Sequence, residues 1–212
     1  PSLSYKVNDK LSFLVYTEFS SRNSAIAPMI FLNRYVPLSF TSMDLFEENY
    51  KKSYNSNDLV MSNPSFNMQT QMFYKISDKW TSQTVLSRSN TKTYGYYSYL
   101  WDGGNGDQFG RFISKGNGQT NTTDIQQNFI GDFKIGGLRN RLIVGVDYFN
   151  SNIQSGSSGW VANGVVSLKN QTDTGDLTEA GVDDLLKGTF TGNSLGETQV
   201  ISAYASDVLN IT

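Results

Sequence analysis

Cysteine and histidine are both missing from this chain of 212 residues. Without cysteine there is no disulfide and no thiolate metal site. Without histidine, the usual general base, Ser-His catalysis and His-ligated zinc are excluded. Basic charge is sparse as well. Lys and Arg number 17 against 19 Asp and Glu, the net charge is -2, and Lys51-Lys52 is the sole basic cluster. A nucleic-acid-binding surface needs a basic footprint that this sequence lacks. No apolar run reaches the roughly 18 residues of a transmembrane helix.

What the chain has is strand and turn chemistry. Aromatics make up 13%, with 12 Tyr and 13 Phe, while mean hydropathy is -0.38. A membrane barrel strand alternates lipid-facing and lumen-facing residues, so its average hydropathy stays modest and low hydropathy does not exclude a membrane. Three tight turns stand out, at Asn8-Asp9-Lys10, Ser77-Asp78-Lys79 and Gly136-Gly137-Leu138-Arg139-Asn140. Between them lie long excursions, 22–63, 90–122 and 151–197, where ordinary connections run about 4 to 6 residues. Tight turns at one end and long loops at the other describe an outer-membrane β-barrel.

Seven strands are predicted, at 3–7, from 11 to about 20, 65–76, 80–89, 123–135, 142–150 and 198–211. The third alternates most cleanly: Phe66, Met68, Thr70, Met72, Tyr74 and Ile76 against Asn67, Gln69, Gln71, Phe73 and Lys75. Short helices are expected near Thr41–Asp44 through a capping box and over 178–187, the latter capped by Asp176. The turn sequence Tyr5-Lys6-Val7-Asn8-Asp9-Lys10-Leu11 echoes Tyr74-Lys75-Ile76-Ser77-Asp78-Lys79-Trp80. Glu18, Asp132, Lys134, Asp147 and Asp207 are assigned to the face opposite the larger apolar residues. A charge on a lipid face costs up to roughly 2 to 4 kcal/mol at mid-membrane, so this sorting fits a wet lumen with lipid outside. A soluble sandwich also sorts its charges onto one face; the long loops on one side favour the barrel.

The expected fold is therefore all-β: an antiparallel up-and-down meander of about seven strands, forming part of a transmembrane β-barrel with long extracellular loops. Single-chain bacterial barrels have an even strand count, and the first strand is shorter than the roughly 9 to 11 residues that cross a bilayer. Pro1-Ser2-Leu3-Ser4 reads as strand rather than as a secretory leader. The chain is expected to be an internal section of a larger barrel domain, spanning 1–212.

The segment Thr123-Asp124-Ile125-Gln126-Gln127-Asn128-Phe129-Ile130-Gly131-Asp132-Phe133, followed by Gly136-Gly137-Leu138-Arg139-Asn140-Arg141 and Gly145-Val146-Asp147-Tyr148, resembles the barrel of TonB-dependent ferric-siderophore receptors. Ala203-Tyr204-Ala205-Ser206-Asp207 is similar to the following family strand. Pro1-Ser2-Leu3-Ser4-Tyr5 and Tyr96-Tyr97-Ser98-Tyr99-Leu100-Trp101-Asp102 look like members from the Bacteroidetes. The resemblance covers most of the chain and carries no active-site signature. It implies a 22-stranded barrel with a plug and a TonB box N-terminal to this segment. It further implies a ferric siderophore as cargo, outer-membrane lipid around the wall, TonB as partner through the N-terminal region, and no catalysis.

The leading candidate site is the aromatic cluster Tyr94, Tyr96, Tyr97, Tyr99 and Trp101, with Arg111 nearby in sequence. Aromatic faces pack against a bulky chelate and a guanidinium offers charge-assisted hydrogen bonds. The competing role for the same residues is an aromatic girdle or packing within the loop. Arg34-Tyr35 and Trp160 are weaker versions of the same idea. Asp102-Gly103-Gly104-Asn105-Gly106-Asp107 lacks the spaced ligands and terminal Glu of an EF-hand and reads as a turn. The adjacent pairs Glu47-Glu48 and Asp183-Asp184 read as solvated charge. No metal ligands or cofactors are expected from this chain. The alternative function is a secreted all-β carbohydrate-binding module using Tyr and Trp as platforms. An outer-membrane hydrolase is disfavoured because histidine is missing.

Overall fold

The computed structural model describes residues 1–212 except 39, 41, 190 and 212. In chain order its elements are β1 (Ser2–Lys6), β2 (Leu11–Ser20), β3 (Asn23–Ser24), β4 (Met29–Leu32), α1 (Asp44–Glu47), β5 (Met61–Ser62), β6 (Ser65–Lys75), β7 (Trp80–Asn105), β8 (Gln108–Ile135), β9 (Leu138–Ser158), β10 (Val161–Ser167), β11 (Thr172–Asp173), α2 (Glu179–Leu186) and β12 (Thr191–Leu209). Seven of them, β1, β2, β6, β7, β8, β9 and β12, form an antiparallel meander in which neighbours in sequence are neighbours in space. β1 and β12 each have a single strand partner among the described residues, so the sheet is open on both sides.

Each short turn has a local cause. In the first, the Asn8 side chain accepts from the amides of Lys10 and Leu11 at 2.8 and 3.0 Å. In the second, Ser77 Oγ accepts from Lys79 N at 3.2 Å. The sequence echo is a structural repeat: Lys6–Asp9 and Lys75–Asp78 both pair at 2.7 Å, and Val7 and Ile76 both donate to the carbonyl four residues on at 2.9 Å. The third turn joins Ile135 to Leu138 through Gly136 and Gly137, whose φ of 58° and 87° give the left-handed two-residue hairpin.

The segment 90–122 is not a loop. β7 and β8 pair without a shift from Trp80–Gly131 to Asp102–Phe109 and close through a two-residue turn at Gly106-Asp107. The other two excursions are partly ordered on this hairpin. β5 and then β4 pair with the upper part of β7, β4 in parallel. β10 pairs with the upper part of β8 beyond the end of β9. α2 is capped by Thr178, whose Oγ1 accepts from Gly181 N at 3.1 Å. Asp176 is not the cap; it accepts from Thr178 N and Oγ1 at 2.9 and 2.8 Å and so orients it. α1 starts at Asp44, and Thr41 lies outside the described residues.

Directly paired residues point to the same side of a sheet, so the register assigns both faces. One face is apolar: Phe13, Met72, Thr84, Gln127, Val146 and Ala203 form one row, and Val15, Thr70, Leu86, Ile125, Tyr148 and Ile201 the next. The other is polar: Leu14, Gln71, Val85, Gln126, Asp147 and Ser202 form one of its rows. Glu18, Asp132, Lys134 and Asp147 lie on the polar face as expected. Asp207 does not. It pairs with Leu142, on the apolar side, two residues from the end of β12, while Tyr204 lies on the polar side.

The polar face is held by a ladder of side-chain hydrogen bonds. Gln69 donates to Ser87, Gln71 to Gln69, Gln83 to Gln71 and Asn128 to Gln83, at 3.2, 2.8, 3.1 and 3.2 Å. Tyr204 of β12 completes it by donating to Asn128 on β8. That bond passes over β9 at Gly145, where a Cβ would overlap the Tyr204 ring and the Asn128 amide. On the apolar face the amide of Gln127 is satisfied by Thr84 and Ser82 hydroxyls at 2.7 and 2.8 Å; a second amide, Asn140, lies opposite Phe133 near the turn end. Gly145→Leu is expected to break the Tyr204–Asn128 bond and destabilise the sheet by about 1–3 kcal/mol. Thermal unfolding, with Tyr204→Phe as the milder comparison, measures this.

Candidate functional site

Strand alternation divides the predicted aromatic cluster. Tyr94 and Tyr96 lie on the side that is apolar lower in the sheet, called here the outer side; Tyr97, Tyr99 and Trp101 lie on the other, inner side. The two sets do not form one surface.

On the outer side the loop segments build a small core against the hairpin. One cluster joins Leu59, Tyr96, Ile113, Val182 and Leu186; the other joins Leu100, Phe109, Val166 and Leu168, with Ile30, Phe40, Phe46 and Tyr54 against it. Each fully buried side chain of this kind contributes about 1.5–3 kcal/mol. Tyr96 is thus a core residue. So is Arg111, which is fully buried. Its guanidinium grips both Asp173 carboxylate oxygens, one at 2.7 Å, and donates to the Tyr54 carbonyl at 3.0 Å. It ties two excursions to the hairpin, and, buried there, its guanidinium is not placed to hydrogen-bond a chelate as expected. Removing one partner of such a pair costs far more than the pair itself contributes.

The remaining outer-side polar groups fasten α2. Tyr96 donates to Asp183 at 2.7 Å, and Lys115 Nζ donates to both Asp183 oxygens at 2.8 and 2.9 Å while lying 4.8 Å from the Tyr96 ring centre. Asp183 is therefore engaged, whereas its neighbour Asp184 is exposed and pairs with Lys187. The hairpin tip is tied in the same way: Asp107 accepts from Ser167 and from Lys169 N. Asp102 accepts from Gly104 N at 2.8 Å. No group of three or more carboxylates suited to a metal ion exists among the described residues.

The inner side is different. Tyr99 stacks on Phe112 at 5.1 Å, and Phe31 and Trp160 meet its ring edge-on at 5.3 and 4.8 Å. Phe31 pairs with Trp101 in the β4–β7 register. Tyr97 and Trp101 remain accessible, 42% and 38% exposed. Beside Tyr97 is an open groove of about 500 Å³ lined by Thr93, Tyr97, Gly116, Gly118, Ser155 and Ser157. Gly116 permits this, since a Cβ there would come 2.6 Å from the Tyr97 ring. The arrangement offers flat apolar faces above a floor of hydroxyls and exposed backbone. Sequence reasoning singled out Tyr97, Tyr99, Trp101 and, less strongly, Trp160, but missed Phe31, Phe112 and the floor. The period-two repeats Gly116-Asn117-Gly118 and Ser155-Gly156-Ser157 were the available signal.

The α2 attachment has a definite pH response. Burial pushes the Tyr96 phenol up to about 12. Hydrogen bonding from Lys115 holds Asp183 below its ordinary 3.8. For Lys115, burial opposes its charge, but Asp183 and Tyr96 outweigh it and hold it above 10.5. Asp183 stabilises above its ordinary value and is lost as pH falls through its lowered one. Tyr96 and Lys115 stabilise below their ordinary values and are lost as pH rises through the raised ones. Docking of α2 is thus expected to be flat from about pH 5 to 9 and to weaken at both extremes. Hydrogen exchange over residues 179–186 reads this, and Asp183→Asn should remove the acid limb and also weaken the alkaline one, because Asp183 helps hold Lys115 and Tyr96 raised.

The sequence matches no protein-family model and no curated protein sequence. Solved structures do match. The chain is similar to the ferric preacinetobactin receptor BauA of Acinetobacter baumannii, with TM-score 0.70 and 9% identity, covering 100% of this chain and 30% of that one. It is also similar to the ferric-catecholate import receptor Fiu of E. coli K12. The closed form gives TM-score 0.72 and 14% identity, and the open form 0.72 and 15%, covering 100% of this chain and 31% and 34% of those. These matches lend no support to the Bacteroidetes likeness. The chain spans about a third of the length of each receptor it matches, and its fold is that of a section of their β-barrel wall.

Proposed function

We propose that this chain is a section of the barrel wall and outer loops of a TonB-dependent outer-membrane receptor that imports ferric siderophores. The observation that carries the membrane placement is the apolar band on one face. On β8 it runs from Ile125 through Phe129 and Phe133 to Ile135, beside Leu138, Leu142, Val144, Val146 and Tyr148 of β9. At about 3.3 Å per residue and a tilt of about 40°, that stretch is about 25–28 Å tall, matching the apolar belt of an outer-membrane barrel. Above it the outer side turns polar at Arg88, Thr123, Asn150 and Gln199. The tight turns then face the periplasm, and the β7–β8 hairpin with its attached core stands outside the cell.

In this reading the open edges at β1 and β12 are where further wall strands join, so that no edge remains to aggregate. The polar ladder lines the lumen. Cargo meets Tyr97 and Trp101, beside Tyr99, on the inner side of the hairpin; Tyr96 and Arg111 shape the outer loops without touching it. The plug and the TonB contact belong to other parts of the receptor. The chain does no bond-making chemistry, and iron enters already chelated. A secreted carbohydrate-binding module has no use for an apolar band of this height.

Two measurements test the proposal. In the membrane-inserted full-length protein, Phe129→Arg, at the middle of the band, is expected to cost roughly 2–4 kcal/mol of folding stability while Gln126→Arg costs little; equal costs would reject the lipid-facing assignment. In ferric-chelate binding assays, Tyr97→Ala with Trp101→Ala is expected to weaken affinity about tenfold. Tyr94→Ala, on the outer side, is expected to leave it unchanged.

A further inference from the structure

We infer that this section of wall selects neutral or positively charged chelates and works against anionic ones. The inference rests on the receptor reading and concerns the charge class of the cargo. It follows from where the ionised groups of the inner face stand. Among the described residues of the seven meander strands, every cation on that face lies at the turn end: Lys6, Lys75, Lys134, Arg139 and Arg141. Most are already neutralised. Lys6 and Lys75 pair with Asp9 and Asp78, and Asp132 holds Arg139 and, at 3.5 Å, Arg141.

Above the row that joins Ser12, Phe73, Gln83, Asn128, Gly145 and Tyr204, the inner face of the seven meander strands carries no Lys or Arg among the described residues. It carries three carboxylates, Glu18, Asp124 and Asp147. Glu18 accepts from Tyr16 at 3.1 Å. Asp124 and Asp147 stand on the adjacent strands β8 and β9, one row apart in the register. Asp124 Oδ1 is shielded and has no hydrogen-bond donor within the protein. Higher still, among the described residues, come Thr, Ser, Gly, Ile153, Gln108 and the aromatics Tyr97, Tyr99, Phe112 and Trp101, none of them charged.

Distance prevents the lower cations from compensating. Arg141 and Asp147 are six residues apart on one strand, about 20 Å, against a screening length of about 8 Å at physiological ionic strength. A cargo descending this wall therefore meets hydroxyls and aromatic faces, then a band of negative potential. A ferric tris-catecholate, with several negative charges, is repelled there. A neutral ferric tris-hydroxamate is not, and its carbonyls and hydrocarbon arms suit the hydroxyl and aromatic lining. Charge complementarity of this kind sets specificity and association rate more than raw affinity.

The test is equilibrium binding to the full-length receptor in detergent micelles, followed by tryptophan quenching. The probes are a neutral ferric tris-hydroxamate and a ferric tris-catecholate of similar size, at about 50 and about 500 mM salt. The neutral chelate is expected to bind at least ~10-fold more tightly and without salt dependence, while the anionic one improves as salt rises. Asp124→Asn with Asp147→Asn is expected to narrow the gap several-fold, as is Glu18→Gln on its separate strand. Unchanged heat-modifiable gel mobility shows that the variants are folded. Tighter binding of the catecholate, indifferent to these substitutions, overturns the inference and leaves the receptor reading standing. Binding of neither chelate removes the receptor reading, and the inference with it.

Discussion

The unshifted pairing of β7 with β8 is the constraint on which the other features depend. Because side chains alternate strictly along a strand, one register error would exchange the two faces over its whole length. From Trp80 to Asp102 no such error occurs. A residue's position in sequence therefore fixes the side it occupies, both in the apolar band and far above it. The same parity that sends Leu86 to the apolar face sends Tyr96 and Leu100 into the outer core, and Tyr97 and Tyr99 to the opposite side. The hairpin is one rigid object with two environments at each end, and the loop segments have only its outer side to pack against.

Polar residues hold this sheet as much as apolar ones. The side-chain ladder from Ser87 to Tyr204 crosses β6, β7, β8 and β12, and the one strand it cannot use, β9, supplies a glycine at the crossing point. Each bond contributes only about 0.5–1.5 kcal/mol net, but leaving a member unsatisfied costs more than the bond is worth. Gln127 makes the converse point. An amide on the apolar face is tolerated because two hydroxyls on β7 complete its hydrogen bonds. The pair between buried Arg111 and partly exposed Asp173 is governed by the same asymmetry: it fixes where segments go more than how stable they are.

This distinction explains which parts of the fold were legible in the sequence. The apolar band was readable because it alone contrasts with its opposite face, so Phe66 to Ile76 and Ile125 to Ile135 showed a period of two. Above the band both sides are polar. Arg88, Asn90 and Lys92 alternate with Ser89, Thr91 and Thr93, and the hydrophobic period vanishes although the strand continues. The segment 90–122 consequently looked like a loop. The face of β12 was misread for a related reason: Ala203 and Ala205 carry little signal, and Tyr204 is an aromatic that points to the polar side because Asn128 awaits its hydroxyl. The aromatic cluster was correctly noticed as unusual, but its division between two sides required the strand. Nothing near Arg111 announced Asp173, a partner 62 residues away.

The charge distribution adds a step that neither periodicity nor fold supplies. Turn-end cations are explicable locally, since Lys6, Lys75 and Arg139 each stabilise a tight turn by pairing with a nearby carboxylate. The carboxylates above them have no such explanation. Glu18, Asp124 and Asp147 sit on a face already satisfied by amides and hydroxyls, where Asn or Gln would complete the same ladder at lower electrostatic cost. Asp124 and Asp147 on neighbouring strands repel one another, which works against folding. Retaining them is intelligible if the potential they create acts on something passing through the lumen. A wall built only for stability would be neutral at this height; this one is negative, on the face that the proposed receptor role assigns to the lumen.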